Sequence, residues 1–148
     1  MKEKLFIALA TFALIILGSG AVAYGQLMPG EAERASIPFD FIVREKTLSA
    51  GDYEVRRLTD SPSTLLIRNL NDNRQQIVFM VNQVQTRTTP KTGEIVFKRF
   101  GDTYFLSEIW SPGEQKGDAL PAPRQERDLE RTLASNNHIP ETVTLALN

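Results

Sequence analysis

Three observations predict a mainly β protein: short runs of alternating apolar and polar residues, turn signals about every ten residues, and a single helical stretch near the C-terminus. The expected architecture is an antiparallel meander of about six strands, forming a small barrel or sandwich, with one C-terminal amphipathic helix. The 148 residues suit one domain. Composition divides the chain into a signal peptide over 1–23, a flexible N-terminal linker over 24–36, a β-rich domain with its helix over 37–135, and a C-terminal tail over 136–148.

Met1-Lys2-Glu3-Lys4 is a net-positive start, Leu5 to Leu17 is apolar apart from Thr11, and Ala21-Val22-Ala23 offers the small side chains a signal peptidase accepts. This predicts cleavage before Tyr24 and a protein exported to the periplasm or beyond. An uncleaved anchor is the competing reading, since Leu5 to Ala23 approaches the ~20 residues that cross a bilayer. It would be this chain's one route to a membrane.

Gln26 to Ser36, with Pro29 and Gly30, shows no apolar period. Ile37, Phe39, Phe41 and Val43 then alternate with Pro38, Asp40 and Ile42, which predicts a strand with one buried face. Pro38 cannot donate to a ladder and belongs at a strand start or sheet edge. A polar turn over 44–47 and a turn at Gly51 lead to a strand carrying Tyr53 and Val55. Thr64 to Leu70 and Gln75 to Gln85 are the next two strands, joined by Asn71-Asp72-Asn73-Arg74, residues that tolerate left-handed backbone.

Glu94 to Trp110 carries the clearest signal. Two apolar runs flank Gly101-Asp102, and a Gly-first two-residue loop suits a type II′ hairpin. Phe100 should then pair with Thr103, Arg99 with Tyr104, and Phe97 with Leu106. One face would carry Ile95, Phe97, Tyr104, Leu106 and Trp110, and the other Val96, Phe100, Phe105 and Ile109. Both need cover. Pro121 to Ser135 is the helix, with Pro123 in its first turn and Leu129 and Leu133 as a thin apolar stripe expected to dock on the sheet. Thr142 to Leu147 has strand character or forms a loose tail.

Composition excludes several chemistries. Cysteine is absent, so disulfides, thiolate metal sites and thiol nucleophiles are excluded. With a single histidine, His138, a Ser-His-Asp triad would need that residue beside Ser107 or Ser111, and no G-x-S-x-G elbow is present. Net charge is -1, and becomes -2 once Lys2, Glu3 and Lys4 leave with the signal, which argues against a nucleic-acid partner despite Arg56, Arg57, Arg68, Arg74, Arg87, Lys98 and Arg99. Asn69, Asn71, Asp72 and Asn73 resemble a calcium loop only faintly, because Arg74 and Met80 stand where an EF-hand needs Gly and Glu. Asp40, Asp52, Glu54, Asp102 and Glu108 are scattered carboxylates with no spacing that pairs them for hydrolysis. No cofactor is expected.

The stretches Ile37-Pro38-Phe39-Asp40-Phe41-Ile42-Val43, Leu48-Ser49-Ala50-Gly51-Asp52-Tyr53-Glu54-Val55 and Phe97 to Trp110 together resemble a family of small exported bacterial proteins, frequent in acidobacteria. That family carries an I-P-F-x-F-x-V start, an L-P-A-G-x-Y-x-V turn and strand, and an R-[FY]-G-D-x-Y-F-L-S-x-I-W hairpin. Ser49 stands here for the family's proline. The resemblance implies export and a β-rich fold, and it supplies no catalytic residue.

The expected function is therefore that of an exported, non-enzymatic binding or envelope-associated module, with another envelope protein as its partner. The alternative is a β-barrel carrier of a small apolar ligand, and the third reading is a carboxylate-dependent hydrolase. Phe100, Phe105, Trp110, Leu129 and Leu133 are the candidate ligand or partner residues, because they combine apolar bulk with the face that most needs cover.

Overall fold

A computed structural model describes residues 32–58, 61–86 and 88–148. The expected signal peptide lies outside the described residues. Eleven strands and one helix follow in order: β1 Glu33–Ile37, β2 Phe41–Val43, β3 Lys46–Leu48, β4 Gly51–Leu58, β5 Ser61–Asn69, β6 Gln76–Met80, β7 Asn82–Gln85, β8 Gly93–Phe100, β9 Thr103–Trp110, β10 Lys116–Ala119, α1 Arg124–Ser135 and β11 Glu141–Leu147.

The strands form two antiparallel sheets that do not close into a barrel. One has the order β1-β4-β5-β6; the other runs β11-β8-β9-β10-β7, with β2 and β3 attached beside β9. Of the two architectures anticipated, the sandwich is therefore the one present. The chain crosses between the sheets from β1 to β2, from β3 to β4 and from β6 to β7. At one side Arg34 and Asn148 exchange two backbone hydrogen bonds of 2.8 and 2.9 Å. At the other, the chain passes from β6 to β7 through buried Val81.

The strand count exceeds about six because two predicted strands divide, β3 and β10 were missed, and Thr142 to Leu147 takes its strand alternative. Pro38 ends β1 at Ile37, and the chain restarts as β2 at Phe41. Gln75 to Gln85 bends at Val81 and serves both sheets. The linker expected over 24–36 is corrected at its end: Glu33 to Ser36 pair with β4, burying Ala35 and leaving Arg34 and Ser36 exposed. The tail expected over 136–148 is corrected likewise, since β11 pairs with β8 from Glu141↔Arg99 to Leu147↔Gly93 and buries Leu147.

The core lies between the sheets. Ile37, Phe41, Val43, Leu48, Tyr53 and Ile67 meet Ile95, Phe97, Leu106 and Ile109 there. Aromatic edges fill the space: Phe41 meets Tyr53 at 5.1 Å and Phe97 at 5.4 Å between ring centroids. Phe39 stacks on Tyr104. Buried Tyr53 satisfies its hydroxyl by donating to Ser49 O at 2.6 Å. The open sheets differ from the closed barrel that the carrier alternative assumed.

The β8–β9 hairpin has the predicted turn and the predicted first three pairs, Phe100↔Thr103, Arg99↔Tyr104 and Phe97↔Leu106. Gly101 has φ 63, while Asp102 is not in positive φ, as a type II′ turn requires. Arg99 lies over the Tyr104 ring at 5.5 Å. The face assignment is corrected beyond that point. Val96 pairs with Glu108, so Ser107 is an extra residue, a bulge that shifts the phase of β9 by one. Ile109 consequently pairs with Ile95 in the core, and Trp110 turns to the outer face, where its ring lies flat against Gly117. A Cβ at Gly117 would stand 2.4 Å from that ring.

Candidate functional site

Helix α1 lies across the outer face of the larger sheet. Its sequence is a weak helix former by itself, with no side-chain cap at Pro123 and no basic residue in its last turn. Like charges Glu126/Glu130 and Arg127/Arg131 also stand four apart. Docking supplies what propensity does not. Lys98, on the outer row of β8, reaches Glu130 at 2.7 Å and Glu126 at 3.3 Å. Glu126 is the buried residue of the helix, at 2% exposure, whereas Leu129 and Leu133 are only half-buried. The two leucines dock as expected, neither being exposed, and an ion cluster beside them supplies the deepest contact of the helix.

The electrostatics follow from that burial. Loss of water raises the Glu126 pKa, and the Lys98 ammonium offsets this only in part. Burial alone would lower the Lys98 pKa, but its hydrogen bonds and proximity to Glu130 and Glu126 more than compensate, and the net shift is upward.

The helix ends in a Schellman-type cap. Asn137 adopts φ 57 and donates to Ala134 O at 3.1 Å, while His138 N–H donates to Leu133 O at 3.0 Å. That cap folds His138 and Ile139 back beside Leu133. Together with the β8–β9 turn they enclose a groove of about 340 Å³ lined by Arg99, Phe100, Gly101, Leu129, Thr132, Leu133, His138, Ile139 and Glu141. Phe100, Leu129 and Leu133 give it an apolar floor. The Arg99–Glu141 ion pair at 3.2 Å marks one rim. Ile139, 88% exposed, stands on the other.

Three of the five residues proposed from sequence therefore meet in one place. Phe105 is fully buried behind Phe100, edge to face at 5.6 Å, and supports the floor without facing solvent. Trp110 lies toward the far end of β9, covering Gly117 and donating its Nε1–H to Glu108 at 2.9 Å. Ile139, His138 and Glu141 were missed, because residues after a helix carry no periodicity to flag them. The Asn-Asn pair that permits the cap was their one available signal.

A second cleft, about 570 Å³, opens at the end of the sandwich between the sheets. Val55, Leu65, Ile109 and Leu147 form its floor, and Glu33, Arg57, Glu114 and Asp118 its rim. Arg57 and Asp118 form an ion pair that bridges the sheets, with Asp118 only 6% exposed. Asp118 comes from β10, whose Lys-Gly-Asp-Ala sequence has no strand signature.

The remaining residues singled out from sequence have local partners. His138 Nδ1 bonds Asn136 O at 2.7 Å in the groove, whereas Ser111 lines the other cleft, so no Ser-His pair between them forms. Asn69 accepts from the N–H groups of Asn71 and Asp72, closing a β-turn. Among the described residues no group of three His, Asp or Glu is placed to hold a metal. Asp40 accepts from Ala50 N–H, Glu54 from Arg68, and Glu108 from Trp110. Arg56 and Arg68 meet Glu54, Arg57 meets Asp118, Lys98 meets Glu126, and Arg99 meets Glu141. A continuous basic face does not assemble. Comparison with protein-family models, curated proteins and solved structures gives no match.

Proposed function

We propose that this protein is an exported, non-enzymatic binding module of the periplasm or envelope, and that it contacts a protein partner through the groove between α1 and the β8–β9 hairpin. The groove carries the reading. Its floor is Phe100, Leu129 and Leu133, and its exposed rim includes Ile139, a large apolar residue left in water. Its volume lies at the low end of ligand pockets, which run to ~300–1,000 Å³ and bury most of their ligand. Five of its nine lining residues are exposed. An open apolar groove of that size suits an inserted side chain better than an enclosed small molecule. Export rests on the pattern of Met1 to Ala23, and the resemblance of Ile37 to Trp110 to exported bacterial proteins supports it.

The test uses the chain in its own host. A photo-crosslinking residue replacing Ile139 should give one discrete protein adduct, lost when Phe100→Glu is added. The same probe at Asn73, in the distant β5–β6 turn, should give none. Equal labelling from both positions, or adducts that survive Phe100→Glu, would remove the groove as the contact surface. Intact-mass measurement of the exported chain should begin at Tyr24; a membrane-bound chain retaining Met1 would remove the cleaved-export reading.

A further inference from the structure

Between Arg74 and Arg87 the chain carries no charged residue and no proline. This run provides β6, the last strand of the four-stranded sheet, and then β7, the last strand of the other. Open strand edges invite pairing with another chain and are ordinarily guarded by charge, proline or a bulge. Strand β7 is at least polar, with Asn82, Gln83 and Gln85. Strand β6 is Gln-Ile-Val-Phe-Met, and Val78 and Met80 on its outer face are 54% and 64% exposed. Leu66, the residue opposite Val78, lies on the same face but is already buried at 7% exposure.

The hydrogen bonds define which backbone groups are open. Asn69 N–H donates to Gln75 O at 2.8 Å and Val81 N–H to Ser63 O at 2.9 Å. By the alternation of an antiparallel ladder, residues 75, 77, 79 and 81 face β5, and the N–H and C=O groups of Gln76, Val78 and Met80 face away. Lys46 Nζ already takes the Gln76 carbonyl at 2.9 Å. Val78 and Met80 have no ladder partner on that side among the described residues.

We propose that β6 pairs antiparallel with β6 of a second copy of this chain, merging two four-stranded sheets into one of eight. The strand's own chemistry selects that occupant. In a two-fold interface each residue near the axis meets its own kind, so a charge there would repel itself. This strand has none. Placing the axis at Phe79 sets Val78 opposite Met80 of the second copy and lets both residues exchange N–H···O bonds with it. The register centred on Val78 would instead require the Gln76 carbonyl that Lys46 occupies. The chosen register brings Val78 and Met80 of both copies into one apolar centre. The Arg56–Glu54–Arg68 cluster then lies at its rim, in the order expected of a specific interface.

Sedimentation of the chain as recovered from its host should show a dimer that dissociates on dilution. Val78→Lys should make it monomeric, with the melting midpoint of wild type diluted below its dissociation range. The register has its own test, because the chain has no cysteine. Val78→Cys mixed with Met80→Cys should give the mixed disulfide, because the facing Cα atoms would be ~5.5 Å apart, within disulfide range. Either variant alone should crosslink poorly, since its own copies meet diagonally at ~7–8 Å. A wild type monomeric at its highest soluble concentration, a dimer that survives Val78→Lys, or open-ended larger assemblies would each overturn the proposal. Efficient crosslinking of Val78→Cys alone would overturn the register.

Discussion

Among the described residues two carboxylates are buried, and they hold different things. Asp118 sits between the sheets and is met by Arg57 from the opposite one, a pair built into the sandwich itself. Glu126 sits beneath a helix and is met by Lys98, with Glu130 competing for the same ammonium. The first bridge joins two ladders that each have many other reasons to form. The second joins a poor intrinsic helix to a finished sheet. Removing a buried charge's partner should therefore unfold the whole protein in the first case and release one element in the second.

The largest expected effect is at Arg57. Arg57→Met leaves Asp118 buried without its cation and should cost about 3 kcal/mol, with near- and far-ultraviolet dichroism lost in one transition. Lys98→Met should cost about 2 kcal/mol, less than at Arg57, because Glu126 regains water once the single helix lifts away whereas Asp118 stays between the sheets. Here the helical signal should melt before the sheet; a single shared transition would erase the distinction between the two bridges. Gly101→Val should destabilise the hairpin that carries Lys98 by more than ~1 kcal/mol, since φ 63 is costly for a β-branched residue. An unchanged midpoint would contradict the turn. Leu133→Ala should cost about 1–2 kcal/mol, at or below the low end for a buried leucine, because the side chain is only partly buried.

The smallest effect is the pH dependence. Folded Glu126 holds its proton more tightly than an ordinary glutamate at 4.5, so the folded state binds the extra proton and stability falls as pH rises from 4.5 through the higher folded value. Lys98 acts at the opposite end: its contribution is complete below 10.5 and is lost as pH climbs through its raised folded value. Glu126→Gln should remove the acid-side slope. Persistence of that slope in the helix signal would assign it to another group.

The hairpin was legible because its apolar runs, its Gly-Asp loop and its pairing all follow from a period of two. The bulge was not, since Ser107 differs in no local property from a paired serine. Strand β1 was hidden by its composition, since Glu33, Arg34 and Ser36 leave too few apolar residues to show the alternation, whereas β11 alternates at Val143, Leu145 and Leu147 and lacked only a sign of which strand it would join. At the candidate site, Phe100, Leu129 and Leu133 were found by apolar bulk alone. Glu126 escaped because amphipathic patterns count apolar residues, and the deepest position of this helix is an acid. The assignment of Trp110 failed for the same reason as the face of Ile109, one unpaired residue upstream.

That unpaired residue makes β9 behave like a message with a shifted reading frame. Up to Leu106, even positions are read by the core; after Ser107, odd positions are. Deleting Ser107 would erase the frame boundary and leave Ile109 inward and Trp110 over Gly117, whereas straightening the strand with Ser107 retained would send Trp110 inward and Ile109 outward. Changes on either side of the frame boundary are thus uncoupled from each other in meaning: an apolar-to-polar exchange tolerated at position 104 + 2n on one side is not tolerated at the same parity on the other. A chain diverging at this hairpin can lose the bulge by a one-residue deletion, but at constant length only by exchanging the characters of Ile109 and Trp110 in the same step.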